Sequence, residues 1–91
     1  MNLGVLNITF DSSNGGHTDG VLRLVNIGNN LLASGSFDQT VIIWNITSKT
    51  LLAKFNKSNG GQNGLITRIC NLNNGLIASA SADFTVKVIH I

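Results

Sequence analysis

The stretch LLASGSFDQTV at residues 31–41 returns as LIASASADFTV at residues 76–86. The offset is 45 residues, and the same offset aligns the segments before and after these stretches without a gap. Roughly 17 of 46 aligned positions are identical, where chance would give only a few. The chain therefore contains an internal repeat, and its period is typical of a four-stranded propeller blade.

Short β-rich runs separated by polar turns fill each repeat. In the first repeat these runs are residues 21–25, 31–36, 40–46 and 50–55, with Gly, Asn and Ser residues between them. Runs of this length and spacing predict strands, and no window shows a sustained helical period. The predicted fold class is all-β, with two four-stranded antiparallel β-propeller blades that form a partial propeller.

The repeat also predicts where each blade begins and ends. Residues 2–10 align with residues 47–55, so we expect residues 1–10 to be the fourth strand of a preceding or neighbouring blade. One repeat is expected over residues 16–55, and a second over residues 61–91 that lacks its fourth strand. The predicted strand order is fourth-first-second-third twice, in a single partial propeller over residues 1–91.

The residues at the ends of the first repeat resemble the signature of the WD-repeat β-propeller family. Gly16-His17 resembles the Gly-His pair that begins the family's repeat, and Trp44-Asn45 resembles the Trp-Asp pair that closes its third strand. A Ser-x-x-x-Asp-x-Thr pattern begins at Ser34 and recurs in the second repeat. The resemblance implies a buried structural hydrogen-bond network made of four side chains, namely His17, Ser34, Asp38 and Trp44.

The same network contains the residue types of a Ser/His/Asp catalytic triad. We favour the structural interpretation, because the repeat already explains these residues, and pairing offsets the cost of burying a carboxylate and an imidazole. Ser36 is an alternative to Ser34, one pleat repeat away. The histidines and the single cysteine are widely separated, so neither a metal site nor a cofactor is expected. The chain is predicted not to be an enzyme.

The second repeat departs from the pattern of the first. Gln62 stands where the first repeat has its histidine, and Ile89 stands where it has its tryptophan. We expect Gln62 to bridge Asp83 and Ser79. Because the tryptophan donor is missing, the network of the second blade should be truncated and its outer loop more mobile.

Composition and charge argue against several classes of function. Charged residues are 11% of the chain, and the six basic residues are scattered, so a nucleic-acid partner is not expected. No apolar run approaches the length of a membrane-spanning helix, so no membrane partner is expected. The start of the chain has no basic n-region, and Cys70 is the only cysteine. These features favour an intracellular location, cytoplasmic or nuclear.

Two blades cannot close a propeller, which usually needs four to eight. We expect apolar residues on the open faces to lack half of their cover, for example Val41, Ile43, Ile66, Ile69, Val86 and Val88. The prediction is a non-catalytic protein-protein interaction scaffold that completes a ring by oligomerisation or with a partner propeller segment. Three chains would give six blades and four chains would give eight, both within the usual range. The alternative is a fragment of a longer WD-repeat protein, or a structural subunit of a large complex.

The predicted partner is a protein or peptide that binds loops on one rim of the ring. The resemblance directs attention to the loops and turns at the strand ends. Phe37 precedes the aspartate of a turn, and it either anchors a partner or packs on a neighbouring blade. The candidate partner-binding residues are Thr18, Asp19, Phe37, Gln39 and Phe84.

Overall fold

The computed structural model describes residues 4–91 and folds them into two antiparallel sheets. The first sheet contains β1 (Val21–Gly28), β2 (Leu31–Ser36), β3 (Val41–Asn45) and β4 (Thr50–Phe55), in that spatial order. The second sheet contains β5 (Ile66–Asn73), β6 (Leu76–Ser81) and β7 (Val86–His90). Each strand pairs with the next along the chain, which confirms the predicted all-β fold of two propeller-like blades. No helix within residues 4–91 is long and apolar enough to cross a membrane.

Tight turns of left-handed residues set the register of the first hairpin in each sheet. Asn29 and Asn30 join β1 to β2 with φ of 53° and 61°. Asn74 and Gly75 join β5 to β6 with φ of 55° and 78°. Both central residues of such a two-residue turn need positive φ, which Asn and Gly adopt at low cost. The Asn-rich turns therefore fix the pairing of both hairpins.

The segment before the first sheet forms no strand within its described part, residues 4–10. Phe10 stacks on Trp44 with their ring centroids 4.2 Å apart. A fourth strand over residues 1–10 would need a sheet from another blade, so that assignment stays a prediction, and residues 1–3 lie outside the described part. A 3-10 turn follows at Ser12–Asn14, and a matching turn precedes the second sheet at Lys57–Asn59.

The core lies between the two sheets. Its buried side chains are each at most 2% exposed, and they are Ala33, Val41 and Ile43 from the first sheet and Ile66 and Ile77 from the second. Removing apolar surface from water stabilises a fold by about 25 cal/mol per Å². Burial of these apolar side chains therefore holds the two blades together.

Gly35 allows the second sheet to approach the first closely. A Cβ at this position would lie 2.5 Å from Cγ2 of Ile66 and 2.9 Å from Cδ1 of Ile69. Those distances are too short for a real contact, so the absent side chain leaves room for the two isoleucines. Strand β5 thereby packs closely against β1 and β2.

The packing corrects part of the expectation about open faces. Val41, Ile43 and Ile66 are fully buried, because the second blade covers the face on which the first two lie. The expectation that these three residues lack cover is wrong. Val86 and Val88, on the outer face of the second sheet, are 70% and 61% exposed. The periodicity of β3 and β7 is the same, and the difference comes from whether another sheet lies above them.

Candidate functional site

His17 lies at the centre of a chain of hydrogen bonds on the outer face of the first sheet. Its Nδ1 is 3.0 Å from Oδ2 of Asp38, and its Nε2 is 2.6 Å from Oγ of Ser34. Nε1 of Trp44 donates to the same Oγ at 2.9 Å. The structure thus brings together all four residues that the resemblance implied. Thr40 was not among them, and its Oγ1 also lies 3.0 Å from Nδ1 of His17.

The direction of each hydrogen bond follows from the groups at the two ends of the chain. An indole N–H can only donate, and a carboxylate can only accept. We therefore assign the ring proton of His17 to Nδ1, where it donates to Asp38. The hydroxyl of Ser34 then donates to Nε2 and accepts from Trp44. Among residues 4–91, no buried side-chain nitrogen or oxygen is left without a partner.

Asp38 ties the turn between β2 and β3 to the loop before β1. Its Oδ1 accepts from the backbone N–H of Thr40 at 2.9 Å and from its hydroxyl at 2.5 Å, and Oδ2 accepts from the N–H of Thr18 at 3.0 Å. Burial raises the pKa of Asp38, but the hydrogen bonds from Thr40, Thr18 and His17 outweigh it and hold the pKa below its ordinary value. Only 5% of the His17 side chain and 6% of the Asp38 side chain are exposed. The pair is therefore a buried structural link.

Gly16 lets the loop that carries His17 pass close to the sheet. A Cβ at this position would lie 2.5 Å from the carbonyl oxygen of Asp11 and 3.0 Å from the ring of Trp44. Asp11 also caps the preceding 3-10 turn by accepting from the N–H of Ser13 at 2.9 Å. Any side chain at Gly16 would push the loop away from Trp44 and displace the histidine.

Ser36, the alternative to Ser34, makes different contacts. Its hydroxyl donates to the carbonyl of Gly20 at 2.8 Å and accepts from the N–H of Asp38 at 3.0 Å. Ser36 therefore closes the turn itself, and Ser34 is the serine that reaches the histidine. The two positions are separated by one pleat repeat, so the alternation of the strand alone could not choose between them.

The second repeat has a smaller network at the equivalent place. Gln62 Nε2 donates to the carbonyls of Ser79 at 2.9 Å and Thr85 at 3.2 Å, and its Oε1 accepts from the Ser79 hydroxyl at 2.8 Å. The expected contact between Gln62 and Asp83 is not among the hydrogen bonds of the described residues. Hydrogen bonds from the Thr85 side chain and from the N–H of Asn63 occupy Asp83 and lower its pKa. The link between turn and loop persists here without a histidine.

Two of the candidate partner-binding residues are aromatic and lie in equivalent hairpins. Phe37 is 47% exposed, and its ring covers Gly20 of its own blade, where a Cβ would lie 3.3 Å from Cδ2. Phe84 is fully exposed. Gln39 and Phe84 occupy the same position of their turns, with φ of 75° and 73°. The turns lie on one edge of the blade pair, because equivalent strands of the two sheets run side by side.

The remaining two candidates, Thr18 and Asp19, lie in the exposed loop before β1. Thr18 donates its N–H to Asp38, and Oδ1 of Asp19 accepts from the N–H of Gly20 at 2.7 Å. The carbonyls of Asp19 and Gly20 lie against Ser36, which brings this loop next to the turn that carries Phe37. The role of these residues in partner binding stays a prediction. We call the five candidates, Thr18, Asp19, Phe37, Gln39 and Phe84, the rim.

Two apolar faces of the sheets point away from the core. The leading face is the outer face of the first sheet, and it has an open groove of about 250 Å³. The trailing face is the outer face of the second sheet. The leading face is defined by Val21, Leu24, Leu32, Ser34 and Trp44. The trailing face is defined by Arg68, Cys70, Ala78, Ala80, Val86 and Val88.

Comparison with known proteins gives one family and several similar structures. The family model described as WD domain, G-beta repeat matches residues 5–45. No curated protein matches the chain. Among solved structures, the computationally designed Ika4 protein is 28% identical with a TM-score of 0.71, over 84% of this chain and 44% of that one. The designed Ika8 protein has the same identity and TM-score, over 84% of this chain and 22% of that one.

A third solved structure is the WD40 β-propeller domain of Doa1. It is 19% identical with a TM-score of 0.71, over 82% of this chain and 24% of that one, so the likeness concerns the fold. The chain spans less than half the length of each of these three structures. The matched repeat contains His17, Ser34, Asp38 and Trp44, and the structural likeness extends over most of both sheets. Residues 5–45 therefore resemble a repeat of the WD-repeat family, and the fold of the two sheets is similar to that of β-propeller blades.

Proposed function

We propose that the chain is a non-catalytic protein-protein interaction scaffold that works as part of a ring, completed by oligomerisation or with a partner propeller segment. Its open faces support the ring. Leu24 on the leading face is 63% exposed, and Val86 and Val88 on the trailing face are 70% and 61% exposed. Contiguous apolar surface of this kind marks an interaction site. Further blades would cover it, as the second blade covers the first.

Phe84 is the observation that carries the binding role of the rim. The residue is fully exposed, so its ring buries no surface within the chain. Its φ of 73° is in the left-handed region, which costs an ordinary side chain about 1 kcal/mol or more. The Phe84 side chain therefore disfavours the folded backbone and gains no packing energy within the chain. It can contribute favourable energy only when a partner buries its ring. Exposed aromatic residues are frequent anchors of protein interfaces, and Phe37 lies on the same edge.

The arrangement around Ser34 supports a binding role over a catalytic one. The serine is 2% exposed, and its oxygen accepts the indole N–H of Trp44 at 2.9 Å. A nucleophilic serine needs an oxygen that a substrate can approach. The hydroxyl of Ser34 already donates to His17 and accepts from Trp44. The Ser/His/Asp arrangement therefore stabilises the loop, and Ser34 does not act as a nucleophile.

A protein or peptide is the partner class that the rim favours. Its members are two aromatic residues, two uncharged polar residues and one carboxylate, which suit a mixed apolar and hydrogen-bonding contact. An intracellular location, cytoplasmic or nuclear, is part of the proposal. The use of a single cysteine, Cys70, fits a reducing compartment.

A quantitative pull-down with three baits tests the rim. The baits are the wild-type chain, the triple variant Asp19→Ala, Phe37→Ala, Phe84→Ala, and the control Leu52→Ala. Leu52 is 53% exposed on β4, so it matches the rim residues in exposure but not in place. We expect proteins held by the wild type and the control to be lost by the triple variant. An unchanged set of bound proteins, with all baits folded by circular dichroism, would contradict the proposal.

The competing role is a purely structural one, within a longer WD-repeat protein or a large complex. In that case the faces carry all the binding and the rim carries none. A bound protein that is lost with Val88→Asp but kept by the triple rim variant would favour this role. The two variants therefore separate rim binding from the completion of the ring.

A further inference from the structure

We infer that the partner covering the open faces is a second copy of this chain, docked head to tail so that the trailing face of one copy packs on the leading face of the next. The inference rests on the proposed ring and names its occupant. The junction between the two sheets inside the chain provides the template. Every contact expected between copies has an equivalent, 45 residues away, that the structure already contains.

The trailing face repeats a surface that the chain itself covers with a blade. On the first sheet, that covered surface faces β5, and its apolar members are buried or half-buried. A shift of 45 residues converts it into the trailing face, with Arg, Ala and Val unchanged at three of six positions. The covered residues are Arg23, Val25, Ala33, Gly35, Val41 and Ile43, and their equivalents are Arg68, Cys70, Ala78, Ala80, Val86 and Val88.

The leading face likewise repeats the inner face of the second sheet, which is the surface that covers the first sheet. The inner face of the second sheet packs on the first through branched aliphatic side chains. The leading face has the same register and an apolar residue at each equivalent apolar position. The inner-face residues are Ile66, Ile69, Ile77, Ser79 and Ile89, and their equivalents are Val21, Leu24, Leu32, Ser34 and Trp44. Each copy therefore presents both halves of one junction.

The volumes at the tightest point of the junction are balanced. Inside the chain, Gly35 meets Ile66 so closely that a Cβ would lie 2.5 Å from Cγ2. Between copies, Ala80 takes the place of Gly35 and Val21 takes the place of Ile66. Alanine adds one side-chain carbon and valine removes one, so the pair contains the same number of side-chain carbons. Volume-conserving exchanges of this kind are the ones that packed cores tolerate best.

The polar contacts across the junction also recur. Inside the chain, Nε of Arg23 donates to the carbonyl of Thr67 at 2.9 Å, and Nδ2 of Asn71 donates to the carbonyl of Asn26 at 3.1 Å. The donors are identical in both repeats, as Arg23 with Arg68 and Asn71 with Asn26. Between copies, Arg68 would donate to the carbonyl of Leu22 of the next copy, and the next copy's Asn26 would donate back to the carbonyl of Asn71. Backbone carbonyls are present whatever the side chain, so both acceptors are retained.

The segment before the first sheet fits the same arrangement. Residues 5–10 align with Thr50–Phe55, which form β4 along the edge of β3. The corresponding edge of β7 has no partner strand among the described residues. Phe55 pairs opposite Val41, so Phe10 of the next copy would pair opposite Val86. Head-to-tail docking places this segment beside the edge that lacks a strand.

A heterologous junction gives a closed ring or an open fibre, and its symmetry can be tested by mixing variants. Each junction uses Val88 of one copy and Leu24 of the next. Val88→Asp and Leu24→Asp should each break every junction of a pure variant, although both side chains are more than 60% exposed and so matter little to folding of one chain. An equimolar mixture keeps one intact junction, between the trailing face of the Leu24→Asp chain and the leading face of the Val88→Asp chain. Phe84→Asp, on the rim, is the matched control.

Light scattering after size exclusion gives the native mass of each sample. We expect a closed oligomer for the wild type and for Phe84→Asp, the 9.6 kDa of a single chain for each face variant, and twice that mass for the mixture. A monomeric wild type, a Leu24→Asp chain that stays assembled, or a mixture that stays monomeric would overturn the inference. These readouts report only self-association, so they are independent of the rim pull-down.

Cys70 provides a second readout that does not need the face variants to fold. Its thiol is exposed in the single chain and lies on the trailing face, where the equivalent Val25 is packed against the core. We expect a maleimide reagent to modify Cys70 of the wild-type assembly at least tenfold more slowly than that of a short model peptide. Modification at the rate of the peptide would overturn the inference even if both face variants were unfolded.

Discussion

Replacing Ser34 by alanine should destabilise the chain more than the same change at Ser79, its equivalent in the second repeat. The hydroxyl of Ser34 lies 2.6 Å from Nε2 of His17 and accepts from Nε1 of Trp44 at 2.9 Å. The hydroxyl of Ser79 has one side-chain partner, Oε1 of Gln62, at 2.8 Å. The two substitutions remove the same atom from two strands of the same register, so the number of partners is the main difference.

The expected magnitudes follow from the polar atoms that each change leaves unpaired. Ser34→Ala leaves the ring nitrogen of His17 and the indole N–H of Trp44 without partners, and both lie where water has little access. Each unsatisfied buried group costs about 1–3 kcal/mol, so the free energy of unfolding should fall by about 3 kcal/mol. Ser79→Ala leaves only Oε1 of Gln62, while its amide nitrogen keeps two carbonyls. That loss should be about 1 kcal/mol.

Urea unfolding followed by far-UV circular dichroism measures both losses. All samples need the same protein concentration, because association contributes to apparent stability. The indole N–H resonance of Trp44 gives an independent check, since it should move in Ser34→Ala and stay in place in Ser79→Ala. Equal losses for the two variants, or an unmoved indole resonance, would refute the account of the network.

Three further predictions concern Asp38, Phe84 and the reactivity of Ser34. The hydrogen bonds of Asp38 lower its pKa, so they stabilise the fold at a pH above the unfolded value of about 3.9, and this stability is lost as the pH falls through the lower folded pKa. Urea unfolding at pH 3 and pH 7 should therefore show a smaller loss of stability on acidification in Asp38→Asn than in the wild type. An equal loss of stability in the two proteins would contradict this prediction. Phe84→Gly should raise the free energy of unfolding by about 1 kcal/mol, because glycine adopts the left-handed backbone conformation at lower cost. Phe84→Ala keeps a Cβ at this position and should change the free energy of unfolding little. A destabilising Phe84→Gly would show that the ring packs within the chain. Ser34 should not react with a fluorophosphonate, because its oxygen is buried and committed, and mass spectrometry that finds a phosphonylated Ser34 would reopen the catalytic interpretation.

The repeat allowed the fold to be predicted, because strand spacing depends on local pattern, whereas the four network residues were implied by the family resemblance. An unbroken offset fixes strand spacing, and the turns at Asn29-Asn30 and Asn74-Gly75 fix the hairpins. Thr40 was missed as a neighbour of His17, although its recurrence as Thr85 was a signal. A short side chain two residues after an aspartate commonly bonds that carboxylate, and this places Thr40 beside the histidine as well.

Burial and side-chain partners could not be predicted from the sequence where they depend on how the two sheets pack against each other. Val41 and Val86 are identical in type and position, yet one is 2% exposed and the other 70%. Only the arrangement of the sheets separates them. Gln62 has donors and acceptors for either neighbour, and its choice of backbone carbonyls over Asp83 follows from the local bonds that already satisfy that carboxylate. The left-handed φ of Phe84 was equally unpredictable, because its residue type disfavours that conformation.

The native mass of the wild-type chain tests the central claim most directly. Two blades with a matching leading and trailing face should not remain single in solution. Light scattering over a tenfold range of concentration should give one mass, three or four times the 9.6 kDa of the chain, as rings of six or eight blades require. A folded chain that keeps the mass of one copy throughout that range would contradict the account.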